Sequence, residues 1–120
     1  MLNVLVADDD FANLEALSSA LLAAGHRVLK AGDGADAWRI LSSHACDLVV
    51  CDQEMPFLTG SQLLDAIRAN SRLSSIPVIV LVDVYSSHPK QIEGASVIAK
   101  PVMIPQLLAL VDQVRRSMTG

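Results

Sequence analysis

The chain has 120 residues, with 9 Lys+Arg against 13 Asp+Glu and a formal net charge of −4 when its histidines are neutral. That length fits one domain, residues 1–120, and 52% apolar against 18% charged residues excludes a disordered chain. The acidic balance argues against direct binding of nucleic acid or an anionic membrane, because those surfaces attract an excess of Lys and Arg.

In chain order, the apolar runs alternate between strand length and helical period, which is the sequence form of repeated βα units. A strand at Leu2–Ala7 leads into a helix from Asp10 to Ala24, on which Phe11, Leu14, Leu17, Leu21 and Leu22 recur at three- and four-residue steps toward the core. Gly25 is a good residue to end it. A strand at His26–Lys30 and the turn Ala31-Gly32-Asp33-Gly34 precede a second helix that turns Ala37, Trp38, Ile40 and Leu41 inward. The strand Asp47–Cys51 is followed by a helix over Ser61–Asn70 with Leu63, Leu64 and Ile67 facing the core, and then by a strand at Ile76–Val82. Between that strand and the next, Ser86–Glu93 contains Pro89 and only one strongly apolar residue, Ile92, so the fourth helix is expected to be shortened to a turn or a loop. The strand Val97–Ala99 and a last helix starting near Pro105, a favoured first helical residue, complete the pattern.

Val4-Leu5-Val6, Leu48-Val49-Val50 and Val78-Ile79-Val80-Leu81 are continuous aliphatic runs rather than alternations, which implies burial on both faces. The fold expected is therefore α/β, a doubly wound, flavodoxin-like sheet of five parallel strands in the order 2-1-3-4-5. No apolar run reaches the roughly 18 residues that cross a bilayer, and the N-terminus lacks a signal-peptide pattern, so a cytoplasmic location with no membrane contact is expected. Cys46 and Cys51 form no CxxC or Cys/His ligand pattern and read as reduced, buried thiols. His26, His44 and His88 fall in three different local contexts, which argues against a thiolate and imidazole metal site.

In such sheets ligands bind beyond the carboxyl ends of the strands. There the sequence puts Asp8-Asp9-Asp10 after the first strand, Asp52 after the third, and Lys100-Pro101 after the fifth. Carboxylates gathered in one crevice repel one another by about 4 kcal/mol per close pair at an effective dielectric of 20, so cationic groups must offset them. Lys100 and a hard divalent cation would do so, and Mg²⁺ suits a few carboxylates, waters and a phosphate. Asp10 is most simply the N-cap of the first helix, and Asp33 between two glycines is a turn residue without chemistry.

The segments Val4–Asp10, Asp47–Pro56 with Gly60, Pro77–Leu81 and Gly94–Pro101 together resemble the receiver domain of two-component response regulators, in that family's order and spacing over essentially the whole chain. The resemblance implies that Asp52 is the phosphoacceptor, taking its phosphoryl group from a histidine kinase or a histidine phosphotransfer protein. It also implies that Asp9 and Asp52 ligate Mg²⁺ directly, that Asp8 acts mainly through water, and that the backbone carbonyl of Glu54 is a further ligand. Lys100 would pair with the phosphoryl oxygens, and its bond to Pro101 is often cis in the family. The output partner is left open.

The sequence departs from the family pattern at its switch. The fourth strand usually ends in Thr or Ser followed by a small residue, where this chain has Val82 and Asp83, and the aromatic residue three before the lysine is Val97. Val82 has nearly the shape of Thr but no donor for a phosphoryl oxygen, and Asp83, if it points inward, opposes an anion. Tyr85 or Ser86 could substitute locally. Thr59, where Asp is common, reads as turn variation, and Glu54 is expected to affect phosphoryl lifetime. Two other readings stay open: a receiver-like interaction module insensitive to phosphorylation, and a metal-dependent phosphatase or hydrolase, disfavoured because no general acid beyond the carboxylates is evident.

Overall fold

The structure, a computed structural model, describes residues 1–83 and 92–119. Its elements are β1 (Asn3–Ala7), α1 (Phe11–Ala23), β2 (Arg27–Ala31), α2 (Gly34–Ser43), β3 (Leu48–Asp52), α3 (Gly60–Ala69), β4 (Val78–Asp83), β5 (Ser96–Lys100) and α4 (Ile104–Thr119). The strands form one sheet in the order β2-β1-β3-β4-β5, and every pairing is parallel. The expected α/β architecture is therefore present, and the three continuous aliphatic runs occupy its centre as β1, β3 and β4. The expected short fourth helix lies, as far as residue 91, outside the described residues.

Alternation along the strands divides the interior into two cores. One, with Leu5, Ala7, Val49, Cys51, Val80 and Val82 on the sheet, packs against Ala37, Ile40 and Leu41 of α2 and Leu63, Leu64 and Ile67 of α3. The other, with Val4, Val6, Leu48, Val50, Leu81 and Ile98, packs against Leu14, Leu17 and Leu21 of α1 and Leu107 and Val111 of α4. Among the described residues, no helix is long and apolar enough to cross a membrane.

Helix starts are held by side chains that accept orphan backbone N–H groups. Asp10 accepts from Asn13 N and Asp33 from Asp36 N, at 3.1 and 2.7 Å. Thr59 and Gln62 form a reciprocal capping box at α3. At the other end of α3, the Arg68 guanidinium donates to the carbonyls of Ser74, Ile76 and Gly94, which ties the helix to the segments entering β4 and β5.

Several expectations need correction. Phe11 and Leu22 do not face the core: Phe11 is 75% exposed and Leu22 is also exposed. Phe11 opens α1 beyond the carboxyl edge of the sheet, and Leu22 stands about a quarter of a turn to the side of the middle of the buried stripe Leu14, Leu17, Ser18 and Leu21. Cys51 is buried but Cys46 only half-buried, and both are free thiols. Pro105 is the second rather than the first residue of its helix, where its missing N–H still costs nothing.

At the opposite edge of the sheet the His26 Nδ1 accepts the Leu2 N–H at 3.1 Å, so the ring holds the entry to β1 only while that nitrogen is unprotonated. Burial lowers the His26 pKa below its ordinary 6.5, with the Met1 amino group and Arg115 acting in the same direction and Asp112 against them. The unfolded chain then binds more protons than the folded one in the interval just below 6.5. The contribution of this contact is complete above that interval and lost as pH falls through it. Urea unfolding followed across the imidazole range is expected to show stability rising with pH, and His26→Asn, whose side chain does not titrate, is expected to remove that part of the slope.

Candidate functional site

The same alternation that builds two cores brings the functional groups together. In register, Ala7 lies beside Cys51, Asp52 beside Leu81, and Asp83 beside Lys100. Because Val6, Val50, Leu81 and Ile98 all belong to the α1/α4 core, the residues two further on, Asp8, Asp52, Asp83 and Lys100, share that phase at the carboxyl edge.

Asp8 and Asp52 are 1% and 3% exposed, whereas Asp9 is solvent-exposed. One carboxylate oxygen from each of the three lies within 4.8 Å of the other two. Lys100 Nζ donates to Asp52 Oδ2 at 2.7 Å, and the Lys100–Pro101 peptide bond is cis. Asp8 Oδ1 accepts the Asp10 N–H at 2.9 Å. Its other oxygen, Oδ2, is buried with no hydrogen-bond partner among the described residues. Asp10 itself stands apart as the helix cap.

Burial raises the Asp8 pKa, and the neighbouring charges of Asp52 and Asp9 add to it against the Asp10 N–H and Lys100. Burial likewise raises Asp52, outweighing the Lys100 hydrogen bond and charge. For Lys100, burial works to lower the pKa, but the hydrogen bond and charge of Asp52, followed by Asp8 and Asp83, hold it above its ordinary value. The ammonium is therefore fixed as a cation, while both buried carboxylates are costly as anions. An orphaned carboxylate oxygen, two oxygen neighbours within a cation's reach and, among the described residues, no nitrogen or sulfur ligand in the group fit a hard divalent ion such as Mg²⁺.

Two residues on, the Glu54 N–H lies 3.4 Å from Asp52 Oδ1, so the chain folds back over the carboxylate. Of the switch positions, Asp83 is exposed yet close enough for its charge to act on Lys100. Val82 is buried in the α2/α3 core, and Val97 packs against that same core. They lie on the other face of the sheet from Asp52 and Lys100. Tyr85 and Ser86 lie outside the described residues. A cleft of about 470 Å³ opens beside the acids, lined by Asp8, Asn13, Leu17, Asp83, Lys100 and Pro101 among others.

Sequence reasoning missed Gln53. Its buried side chain accepts from both the N–H and the hydroxyl of Ser61, at 2.8 and 3.0 Å, and so fastens the residue after Asp52 to the start of α3. It also missed the capping role of Thr59, although Thr-Gly-Ser-Gln is a readable capping-box pattern.

Residues 4–112 match the family model for the response regulator receiver domain. The response regulator protein FleR of Pseudomonas aeruginosa is 34% identical over 122 residues, covering 98% of this chain and 24% of FleR. The probable chemotaxis protein CheY of Rhizobium etli is 29% identical over 118 residues, covering 94% of this chain and 92% of that protein. The chain thus spans about a quarter of FleR and 49% of the transcriptional regulatory protein PrrA of Mycobacterium tuberculosis, to which it is 34% identical. Among solved structures, the receiver domain of the Francisella response regulator 1452 aligns with a TM-score of 0.88 at 29% identity, over 98% of this chain and 99% of that one. The chemotaxis response regulator CheY4 of Vibrio cholerae aligns with a TM-score of 0.84 at 27% identity, over 95% and 98%.

The orphaned Asp8 oxygen makes a prediction. Asp8→Asn removes one charge and turns an acceptor toward its carboxylate neighbours into an N–H donor. The metal-free protein is expected to gain about 1–3 kcal/mol, the cost of an unsatisfied buried polar or charged group. Urea unfolding with and without Mg²⁺ checks it: stabilisation by the ion should be present in the wild type and largely absent in the variant.

Proposed function

The chain belongs to the response regulator receiver domain family, and from that premise we propose that Asp52 accepts a phosphoryl group, with Mg²⁺, from a phosphohistidine on a histidine kinase or phosphotransfer protein in the cytoplasm. The observation that carries this reading is the meeting of the Asp8, Asp9 and Asp52 carboxylates within 4.8 Å, with the Lys100 ammonium on Asp52. Receiver domains are signalling domains, and the chemistry proposed is a single transfer rather than turnover.

The nucleophile is an Asp52 carboxylate oxygen, held in place by β3 on one side and by Lys100 on the other. As its bond to phosphorus forms, the phosphorus–nitrogen bond to the donor imidazole breaks and the electron pair returns to that ring. Charge on the equatorial oxygens needs stabilisation at that moment. Lys100, already a fixed cation, passes from Asp52 Oδ2 to a phosphoryl oxygen. Asp8, Asp9, Asp52 and the backbone carbonyl of Glu54 would hold Mg²⁺, which when bound neutralises the carboxylates and polarises the phosphoryl group. Burial of Asp52 keeps water from competing with Lys100 for the same oxygens.

Coupling to conformation is proposed to be weak. Val82 supplies no hydroxyl to follow the phosphoryl group, and Val97 supplies no aromatic ring to reorient. A hydrogen bond to a charged group contributes about 1.5–3 kcal/mol, whereas driving a two-state element from 1:99 to 99:1 takes about 5.5 kcal/mol. Loss of that bond therefore removes a large part of a switch while leaving the nucleophile and its cations in place. The reading of a constitutive interaction module rests on these same two residues and on the short fourth helix expected over Ser86–Glu93, which as far as residue 91 lies outside the described residues.

Two measurements test the proposal. Acetyl phosphate or beryllofluoride should label the protein only in the presence of Mg²⁺, and Asp52→Ala should abolish labelling; a wild type that behaves like Asp52→Ala ends the phosphoacceptor reading. Amide chemical shifts with and without beryllofluoride should change around Asp52 and Lys100 but little at residues 92–97. Val82→Thr should enlarge that response, moving any conformational equilibrium by roughly 10- to 150-fold, the equivalent of about 1.5–3 kcal/mol.

A further inference from the structure

The loop between Asp52 and α3 is closed at its base and seated at its tip. At the base, the Gly60 N–H donates to Gln53 O at 3.0 Å, and a Cβ at Gly60 would lie 2.9 Å from Asp52 O. At the tip, the Leu58 N–H donates to Pro56 O at 2.8 Å across Phe57, whose φ is +72°. That is the rare γ-turn conformation, unusual for a residue with a side chain. Phe57 is 79% exposed, so its own ring does not hold the turn, while Met55 before it and Leu58 after it pack on the α2/α3 core.

What the turn does touch is the start of α2. The Gly34 N–H, one of the helix's orphan donors, points to the same Pro56 carbonyl at 3.4 Å. A Cβ on Gly34 would stand 2.3 Å from Leu58 O, 2.5 Å from Leu58 Cβ and 2.9 Å from Leu58 C. Two of those three atoms are backbone, so no side-chain rotation relieves the clash. The turn itself would have to lift, and between its tip and its closed base lies Glu54.

We propose that Gly34 is a positioning residue for the metal and phosphoryl site: by letting the turn at Phe57 rest directly on the first turn of α2, it sets the height of the loop that carries Glu54 over Asp52. This rests on the Mg²⁺ reading given above. Gly34 touches neither the ion nor the phosphoryl group; it acts through the backbone of Leu58 and Pro56. Glu54 lies on the stretch between the tip and the base, so a displacement at the tip is passed to it while the base remains fastened through Gln53.

The test is the Mg²⁺ affinity of the full chain, measured by calorimetry on Gly34→Ala, Asp33→Ala and wild type, with urea unfolding of each. Asp33→Ala removes the α2 cap, a hydrogen bond of 2.7 Å to Asp36 N, without adding an atom toward Leu58. Gly34→Ala is expected to bind Mg²⁺ about tenfold or more weakly, in the range seen when groups behind metal ligands are changed. Asp33→Ala is expected to lose stability yet bind within about twofold of wild type. In wild-type amide spectra the Gly34 and Leu58 signals should shift with the same Mg²⁺ midpoint as Glu54. A folded Gly34→Ala that binds as wild type does, or an equal loss in Asp33→Ala, overturns the role of Gly34. Should Gly34→Ala not fold, a wild-type Gly34 amide unmoved at saturating Mg²⁺ overturns it instead. Wild type that binds no Mg²⁺ overturns the underlying metal reading, and that result is distinct from the others.

Discussion

Two buried carboxylates at the tips of neighbouring parallel strands, with one ammonium bonded to the second of them and a third carboxylate at the rim, set the terms for the rest of this molecule. Asp8, Asp9 and Asp52 against Lys100 leave two uncompensated negative charges, the charge of one divalent cation. Lys100 does not divide itself evenly, because its nitrogen is bonded to Asp52 and reaches Asp8 only through its field. Asp8 is left with a buried oxygen that nothing among the described residues satisfies. A fold seldom retains such an atom unless something outside the chain meets it. Stability and binding are therefore opposed at this site, and an ion that restores balance in one also serves the other.

The sheet explains how the groups meet. Asp8, Asp52 and Lys100 each lie two residues beyond a strand position in the α1/α4 core, so the pleat delivers them to one side at one edge, and Asp9 joins them from the next position at the rim. This much was legible in the residues. Continuous aliphatic runs marked β1, β3 and β4 as central strands, and acids following two of them, with a lysine ending a fifth strand, pointed to the carboxyl edge. The fold and the convergence of Asp8, Asp52 and Lys100 follow from period and order alone. Boundaries shifted by a residue or so, as at β5, where flanking Ser96 and Lys100 pair in the ladder although neither is apolar.

What could not be read depends on close approach rather than on period. Phe11 matches the helical stripe in spacing, but spacing does not reveal where the sheet ends beneath it. Gln53 looks like a polar loop residue, and only the path of the chain shows its side chain turned back to Ser61. Gly34 reads as one of two turn glycines, whereas its neighbour in space, Leu58, is 24 residues away in sequence. Phe57 gives no warning of a left-handed backbone, since glycine or asparagine is the usual signal for that conformation. The Thr59 capping box, by contrast, was present as a local pattern and needed no tertiary information.

The pleat also separates the two functions expected of such a domain. Asp52 and Lys100 project toward the α1/α4 side, where the charge balance is struck. Val82 and Val97 pack with Cys51 and Met55 on the α2/α3 side, one residue out of phase with the reacting groups. A substitution at 82 or 97 changes what fills that second core and what it can donate, and leaves every charge in the crevice where it was. Asp83 is the exception, because it returns to the crevice side in register with Lys100 and adds a negative charge where an incoming anion must be held. Valine at both positions of the far core therefore weakens the means of reporting a modification, while the acids and the lysine that carry it out remain in place.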